Sequence, residues 1–249
     1  HADFIAEVER SFSVLDGAVL VISAVEGIQA QTKFLMSILV QLGIPTILFI
    51  NKIDRMGARS QLLVEQIKEK LTDRVLPLYT PENLGTNQAS IVANRFDSAH
   101  NPAFVEAAID LLAQHDEVLL AAYVNETLSE AQLCHSLISQ IKAAKLYPIF
   151  FGSAMTGVGV GELLEGVATF FPTNTGAEGE PLSAVVFKIE REASGEKIAY
   201  LRLFSGRFQV RQELPVRRKR DELETRHDKV KKLHIFREGK SVQFSCVGA

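Results

Sequence analysis

The sequence has little cysteine and no long apolar run. Cys134 and Cys246 are its two cysteines, and they lie far apart without the spacing of metal ligands. A disulfide framework or a zinc site is therefore not expected, and a reducing, cytoplasmic location is the simplest prediction. The longest apolar runs, 17–22 and 45–50, have the length of strands. They are far shorter than the roughly 20 residues of a membrane-spanning helix, so no membrane partner is expected.

The charge is unevenly distributed. Residues 1–180 carry 11 Lys and Arg against 21 Asp and Glu, whereas residues 181–249 carry 16 against 9. A basic second part is typical of a surface that contacts a polyanion such as RNA. A solvated basic surface is an equally simple interpretation. With 249 residues, 47% of them apolar, the chain can form two modest domains or one large one.

Helical and strand patterns alternate in the first part of the chain. The periodicity predicts helices over 4–14, 31–42, 60–71 and 161–171, and buried strands over 18–22, 45–50 and 147–151. This alternation favours an α/β fold with a mostly parallel sheet and right-handed crossovers. Residues 73–146 interrupt it and are predicted to be an insertion. Within the insertion, we expect 74–79 and 89–93 to pair as short strands, and 104–114 and 128–145 to form helices.

The pattern changes after a polar linker at 173–180. Beyond it, apolar residues alternate with polar ones, and short segments end at Gly-containing turns. This predicts antiparallel strands, including a hairpin of 230–236 with 242–246. Few helices and frequent turns favour a small β-barrel that lacks its last strand.

Asn51-Lys52-Ile53-Asp54 follows directly on the strand predicted over 45–50. Ligands of open α/β sheets bind beyond the carboxyl ends of the strands. A carboxylate such as Asp54 accepts both adjacent donors of guanine, N1–H and the N2 amino group, a pair that adenine lacks. Asn51 can brace the loop or contact the base. The Lys52 stem can lie across the ring while its ammonium stays near the ribose or the phosphates.

A second candidate, Ser153-Ala154, follows the strand predicted over 147–151. Its small side chains would let backbone N–H groups approach guanine O6. Four-residue Asn-x-x-Asp sets are common by chance, but two such loops at strand ends of one parallel sheet indicate a guanine site. The glycines of 157–161 do not form a phosphate loop, because no Gly-Lys-Ser/Thr follows. We interpret them as a flexible lead into the last helix of this part.

The sequence nowhere contains G-x-x-x-x-G-K-[ST], the loop that cradles the β and γ phosphates and holds magnesium. Nucleotide affinity comes largely from those phosphate contacts. This chain alone is therefore expected to bind guanine nucleotides weakly or not at all. Because it opens at His1 without a methionine, we expect it to be part of a longer protein.

Several segments together resemble the GTP-binding domain of translational GTPases. They are His1-Ala2-Asp3-Phe4, Gln29-Ala30-Gln31-Thr32, Asn51-Lys52-Ile53-Asp54-Arg55-Met56-Gly57-Ala58 and Ser153-Ala154. Within that superfamily, the sequences of 16–32, 43–54, 186–190 and 199–203 resemble tetracycline-resistance ribosomal protection proteins most, with elongation factor G as the near relative. Arg55-Met56-Gly57-Ala58 resembles elongation factor G itself.

The resemblance implies domains and ligands. The chain would start inside the family's Asp-x-Pro-Gly-His motif, so that His1 is the catalytic histidine that orients the attacking water; the alternative is a terminal residue without a role. Residues 1–175 would be a partial GTP-binding domain with an insertion at about 73–146. Residues 181–249 would be an incomplete β-barrel domain of the translation-factor type. GTP or GDP would be the ligand, and Mg²⁺ would be held in the parent protein by residues outside this sequence.

The resemblance also implies a function. The expected protein is a monomeric, ribosome-stimulated GTP hydrolase that binds the ribosome and releases tetracycline from it. The chain described by this sequence is expected to be inactive as a GTP hydrolase on its own. Its barrel, including Arg217-Arg218-Lys219-Arg220, would face ribosomal RNA, although these residues are equally compatible with a solvated loop. Elongation factor G acting in translocation is the alternative within the family. A non-hydrolysing module that binds the ribosome or RNA is the alternative of another class, because the phosphate loop is absent.

Overall fold

A computed structural model of the protein describes residues 11–97, 100–172, 176–191, 195–218, 221–237 and 240–248. The chain divides into two compact units. One is Leu15–Pro172, and the other combines His1–Val14 with Thr173–Ala249. Most of the helix predicted over 4–14 lies outside the described residues, and so does His1.

The unit Leu15–Pro172 is an α/β fold. Its strands are β1 (Ala18–Ser23), β2 (Thr46–Asn51), β3 (Val75–Pro77), β4 (Tyr79–Glu82), β5 (Ser90–Ala93) and β6 (Tyr147–Phe151). Its helices are α1 (Ala30–Gln41), α2 (Gln61–Lys70), α3 (Pro102–Ala113), α4 (Glu117–Val124), α5 (Glu130–Lys142) and α6 (Val160–Phe170). Within the described residues, a parallel sheet has the strand order β1-β2-β6-β3.

Helices cover both faces of this sheet, which explains why β2 and β6 are continuously apolar. One buried cluster joins Leu48 and Ile50 of β2 to Met36 of α1 and Ile67 of α2. The cluster on the opposite face contains the alternate residues of β2 together with residues of α3, α5 and α6: Ile47, Phe49, Leu112, Ile141 and Phe170. Each such side chain stabilises the fold by roughly 1.5–3 kcal/mol when fully buried. Both faces of β2 are thus fixed, and with them the position of its last residue, Asn51.

Most sequence-based predictions for this unit are confirmed. The strands predicted over 18–22, 45–50 and 147–151 agree with β1, β2 and β6 to within one residue at each end. The helices predicted over 31–42, 60–71 and 161–171 agree equally well with α1, α2 and α6. Gly43 adopts φ 63°, a left-handed conformation that ends α1 without steric cost.

The predicted pairing of 74–79 with 89–93 is wrong except at Tyr79, which pairs with Ala93. Strand β3 instead pairs in parallel with β6, with Val75 opposite Tyr147. The hairpin partner of β5 is β4, with Tyr79 opposite Ala93. Val75 and Leu76 are fully buried in the sheet, and a three-residue apolar segment carries no local signal of that distant partner. The insertion predicted at about 73–146 thus includes a strand of the parallel sheet.

The helices predicted over 104–114 and 128–145 correspond to α3 and α5, but α4 was not predicted. Its sequence, EVLLAAYV, is apolar on all sides and shows no one-sided periodicity. Its start is nevertheless well specified. The Asp116 side chain accepts a hydrogen bond of 3.0 Å from the Leu119 N–H, and the Ser136 hydroxyl donates to the same carboxylate at 2.7 Å.

The antiparallel strands predicted for the second part are confirmed, and the structure adds the pair β10 with β11, for which the sequence predicted no strands. The strand pairs of this part are β7 (Ser183–Arg191) with β8 (Lys197–Ser205), β9 (Arg207–Gln209) with β14 (Cys246–Gly248), β10 (Glu213–Arg218) with β11 (Asp221–Lys229), and β12 (Leu233–Arg237) with β13 (Lys240–Phe244). Closure of these pairs into a barrel stays a prediction. In the part of the chain that the structure describes, no helix has the length and apolar character needed to cross a bilayer.

Candidate nucleotide-binding site

The two predicted recognition loops lie side by side at one edge of the parallel sheet. Residues 51–54 follow the carboxyl end of β2, and residues 152–155 follow that of β6. The two strands are hydrogen-bonded neighbours, with Ile50 opposite Phe151. We refer to these segments as the 51–54 loop and the 152–155 loop. Their adjacency follows from the strand order, although the loops are distant in sequence.

Asn51 ties the two loops together. Its side-chain Oδ1 accepts a hydrogen bond of 2.7 Å from the Lys52 N–H and another of 3.0 Å from the Ala154 N–H. Of the two roles predicted for Asn51, the structure shows the bracing one. The Ala154 N–H, which is predicted to face guanine O6, is directed at Asn51.

Lys52 crosses the site to an acidic partner. Its Nζ lies 2.9 and 3.1 Å from the two carboxylate oxygens of Glu26, in the turn after β1. Hydrogen bonds from the Ser23 hydroxyl and from Lys52 lower the pKa of the Glu26 carboxyl. Lys52 also has φ 69°, a left-handed conformation that is uncommon for a residue with a side chain. The backbone of the 51–54 loop is thus held in an unusual shape that directs the Lys52 stem toward β1.

Asp54 is nearly buried at the base of the cleft and is poorly satisfied. Its side chain is 12% exposed, and Oδ1 has no hydrogen-bond partner among the described residues. Its Oδ2 lies 3.8 Å from Arg55 Nε, which is too long for a hydrogen bond. An unsatisfied buried acceptor costs about 1–3 kcal/mol, so a ligand that donates to Asp54 recovers that free energy.

The 152–155 loop and the residues that follow it, up to Gly159, form a tight turn that only glycine permits at two positions. The buried Ser153 donates its N–H to the Val158 carbonyl oxygen at 2.9 Å. A Cβ at Gly152 would lie 2.5 Å from that same oxygen, and a Cβ at Gly159, which has φ 75°, would lie 2.1 Å from the Phe151 carbonyl oxygen. Of the three glycines in 157–161, which the sequence predicts to be a flexible lead, Gly159 is closely packed, whereas a Cβ at Gly157 or Gly161 would meet no atom within 4 Å.

The two loops and the turn after β1 line an open cleft of about 640 Å³. This volume is in the range of small-molecule sites. Met56 and Met155 line it and are 88% and 77% exposed, so apolar side chains are available at its rim. The other lining residues are Val25, Glu26, Asn51, Lys52, Asp54, Arg55, Ser153 and Ala154. All five predicted guanine-binding residues therefore lie around one cleft.

Sequence analysis did not identify Glu26 as a residue of this cleft. The available signal was that β1 ends at the same sheet edge as β2, so the turn after it must approach the 51–54 loop. His1, the predicted catalytic residue, lies outside the described residues. Among the residues that are described, no group of three or more His, Cys, Asp or Glu side chains is arranged to hold a metal ion.

A known protein family matches most of this chain. Residues 1–173 match the elongation factor Tu GTP binding domain, a range that contains both loops and the whole cleft. The chain belongs to the translational GTPase family.

Relatives of this translational GTPase chain carry tetracycline-resistance names. It is 43% identical over 220 residues to the oxytetracycline resistance protein of Streptomyces rimosus, covering 88% of this chain and 33% of that protein. It is 38% identical over 250 residues to the tetracycline resistance protein TetP of Clostridium perfringens, covering 100% of this chain and 37% of that protein. The chain thus spans about a third of the length of these curated relatives.

A solved structure supports the fold of the translational GTPase chain. The crystal structure of the protein ttk003000868 from Thermus thermophilus superposes with a TM-score of 0.75 at 21% identity. The match covers 100% of this chain and 40% of the other. The α/β fold followed by antiparallel strand pairs is therefore an established architecture.

Proposed function

We propose that this chain supplies the guanine-recognition half of the GTP site in a ribosome-dependent GTPase that releases tetracycline from the ribosome. The observation that carries the proposal is the unsatisfied Asp54 carboxylate in a cleft beside the 152–155 loop. The family supports the nucleotide, and the names of the relatives support the resistance function.

Each residue of the cleft has a distinct role in this proposal. Asp54 accepts the guanine N1–H and N2 amino hydrogens, which supplies the partner that its Oδ1 lacks. The Lys52 stem covers one face of the base. Ser153 shapes the loop, and the Ala154 N–H is shared between Asn51 and guanine O6, as in a three-centre hydrogen bond.

GTP hydrolysis would need groups that this sequence does not contain. Mg²⁺ and the β and γ phosphates would be held by a G-x-x-x-x-G-K-[ST] loop elsewhere in the complete gene product. His1 would orient the attacking water, and the basic barrel, including Arg217-Arg218-Lys219-Arg220, would contact ribosomal RNA. We expect the complete protein to act as a cytoplasmic monomer, and this chain alone to bind GTP weakly and not to hydrolyse it.

A second candidate is a translocation factor like elongation factor G. The segment Arg55-Met56-Gly57-Ala58 favours it, because this sequence resembles that factor. A resistance assay with the complete gene separates the two: protection against tetracycline supports release of the drug, and its absence with retained translocation supports the second candidate. A gene without the G-x-x-x-x-G-K-[ST] sequence would instead leave a non-hydrolysing module that binds the ribosome or RNA.

The base-recognition role is tested by Asp54→Asn in the complete gene product. Xanthine presents an acceptor where guanine has its amino group, so the amide should favour it. We expect weaker GTP binding and stronger xanthosine triphosphate binding, measured by competition against a fluorescent nucleotide. Asp110→Asn, an exposed carboxylate of α3 away from the cleft, is the matched control and should change neither affinity. An unchanged preference in Asp54→Asn would rule out the proposed role.

A further inference from the structure

The hairpin formed by β4 and β5 contacts the 51–54 loop. Its tip, residues 83–89, reaches the 51–54 loop: the Gly85 N–H donates a 2.8 Å hydrogen bond to the Ile53 carbonyl oxygen. A Cβ at Gly85 would lie 3.5 Å from the Arg55 carbonyl oxygen and 3.6 Å from Met56 Cα. The hairpin tip therefore contacts the 51–54 loop through this hydrogen bond and lies close to the backbone of the two residues that follow the loop.

Ile53 connects the hairpin tip to the rest of the site. It is fully buried, and its N–H donates to the Gly152 carbonyl oxygen at 3.3 Å while its own carbonyl accepts from Gly85. The two backbone groups of one residue are thus attached to the 152–155 loop on one side and to the hairpin on the other. Because Asp54 follows the Ile53 carbonyl directly, this arrangement fixes the peptide plane from which the Asp54 side chain projects.

The shape of the tip is specified by its own residues. Asn83 and Gly85 have φ 50° and 78°, left-handed conformations that asparagine and glycine adopt more readily than other residues. The Thr86 hydroxyl donates to the Asn83 carbonyl oxygen at 2.7 Å and accepts from the Gln88 N–H at 3.2 Å. Leu84 packs against the buried cluster of the sheet. The tip is therefore a preformed support.

We propose that the hairpin tip, residues 83–89, is a positioning element of the guanine site, which holds Ile53 so that the Asp54 carboxylate meets the guanine N1–H and N2 amino group. This inference rests on the proposed base-recognition role of Asp54. It assigns to part of the insertion a function in base selection, which requires Asp54 to be placed to within a fraction of an ångström.

Gly85→Val in the complete gene product tests this role. A β-branched residue cannot adopt φ 78° without strain, and relief of that strain would shift the Gly85 N–H that donates to the Ile53 carbonyl oxygen. Discrimination is measured as the ratio of affinities for GDP and inosine diphosphate, because inosine lacks the amino group that Asp54 accepts. We expect Gly85→Val to reduce this ratio by about twofold to tenfold, the range for one hydrogen bond.

Gly43→Val is the matched control. Gly43 has a similar φ of 63°, but a Cβ there would meet no atom within 4 Å, and the residue follows α1 outside the cleft. It should lower thermal stability without changing the ratio of affinities. An equal ratio in Gly85→Val and Gly43→Val would overturn the positioning role.

Two further measurements keep the proposal falsifiable. If Gly85→Val does not fold, amide hydrogen exchange of the unmodified protein tests the positioning role instead. GDP should slow exchange of the Gly85 amide as well as that of Asp54. A Gly85 amide whose exchange rate GDP does not change would overturn the proposal. Asp54→Asn distinguishes failure of the positioning role from failure of the base-recognition role. Loss of discrimination in Asp54→Asn but not in Gly85→Val overturns the positioning role alone, whereas retained discrimination in Asp54→Asn overturns the base-recognition role and this inference with it.

Discussion

The side chain of Asn51 and the backbone N–H of Ala154 are joined by a 3.0 Å hydrogen bond that spans 103 residues of sequence. The same Asn51 oxygen also accepts from the Lys52 N–H. This amide oxygen, together with the hydrogen bond from the Ile53 N–H to the Gly152 carbonyl oxygen, joins the two loops that surround the candidate guanine site.

Replacing Asn51 with alanine should separate the two loops. Two N–H groups lose their acceptor, and each such bond contributes about 0.5–1.5 kcal/mol, so unfolding should require roughly 1–3 kcal/mol less. Urea denaturation measures this change, and GDP titration should show weaker binding. Asn51→Asp keeps an oxygen acceptor at the same place and should be milder. Equal destabilisation by the two variants would contradict the bridging role.

Asp54→Asn should change the stability of the protein and its affinity for guanine nucleotides in opposite directions. The ligand-free protein no longer buries an unpartnered carboxylate oxygen, so we expect its unfolding free energy to rise by about 1 kcal/mol while guanine affinity falls. Thermal denaturation with and without GDP measures both effects. A lower melting temperature of the ligand-free variant would show that Asp54 has a structural partner in solution.

Asp116 should make the start of α4 sensitive to acid. Hydrogen bonds from the Ser136 hydroxyl and the Leu119 N–H lower the pKa of this carboxyl. Its contribution to stability is therefore complete above the unfolded-state pKa of about 3.9 and is lost as the pH falls through the lower folded-state pKa. Asp116→Ala should cost about 1 kcal/mol at neutral pH, as for a lost helix cap.

Urea denaturation at a series of pH values tests the role of Asp116. The difference between the unmodified protein and Asp116→Ala should shrink below about pH 4. Asp110→Ala, an exposed residue inside α3, is the control and should show a small difference that does not follow this pattern. A difference for Asp116→Ala that is constant down to acid pH would contradict the assignment.

Gly159→Ala and Gly161→Ala should differ sharply although they lie two residues apart. A Cβ at Gly159 would lie 2.1 Å from the Phe151 carbonyl oxygen, whereas one at Gly161 would meet nothing within 4 Å. We expect Gly159→Ala to lose more than about 2 kcal/mol of stability and to weaken guanine binding. Gly161→Ala, inside α6, should gain up to about 1 kcal/mol. Similar melting temperatures for the two variants would refute the close packing of this turn.

The sequence-based prediction succeeded where a segment is long and its environment is uniform. Strands β2 and β6 have both faces buried, so each consists of consecutive apolar residues, and each ends at a polar or small loop residue. The candidate guanine residues could be placed because the carboxyl ends of neighbouring parallel strands meet at one edge. The positions of these residues at the sheet edge depend on the strand order and not on side-chain geometry.

The prediction failed where a partner is distant in sequence. Strand β3 is three residues long, and its pairing with β6 rather than β5 depends on a segment that follows much later in the chain. The Lys52 pairing with Glu26 and the Gly85 contact with Ile53 have the same origin. Each of these contacts depends on which loops the folded sheet brings together, and local sequence periodicity does not predict contacts between distant loops.

The strand order β1-β2-β6-β3 has a consequence for how the protein is made. Strand β6 lies between β2 and β3, although it is synthesised after both of them. When β3 leaves the ribosomal exit tunnel, its place beside β6 cannot yet be filled, and the apolar edge of β2 has no neighbour on that side. The cleft is complete only after the 152–155 loop has emerged, so a nascent chain that ends within the insertion lacks one wall of the candidate guanine site.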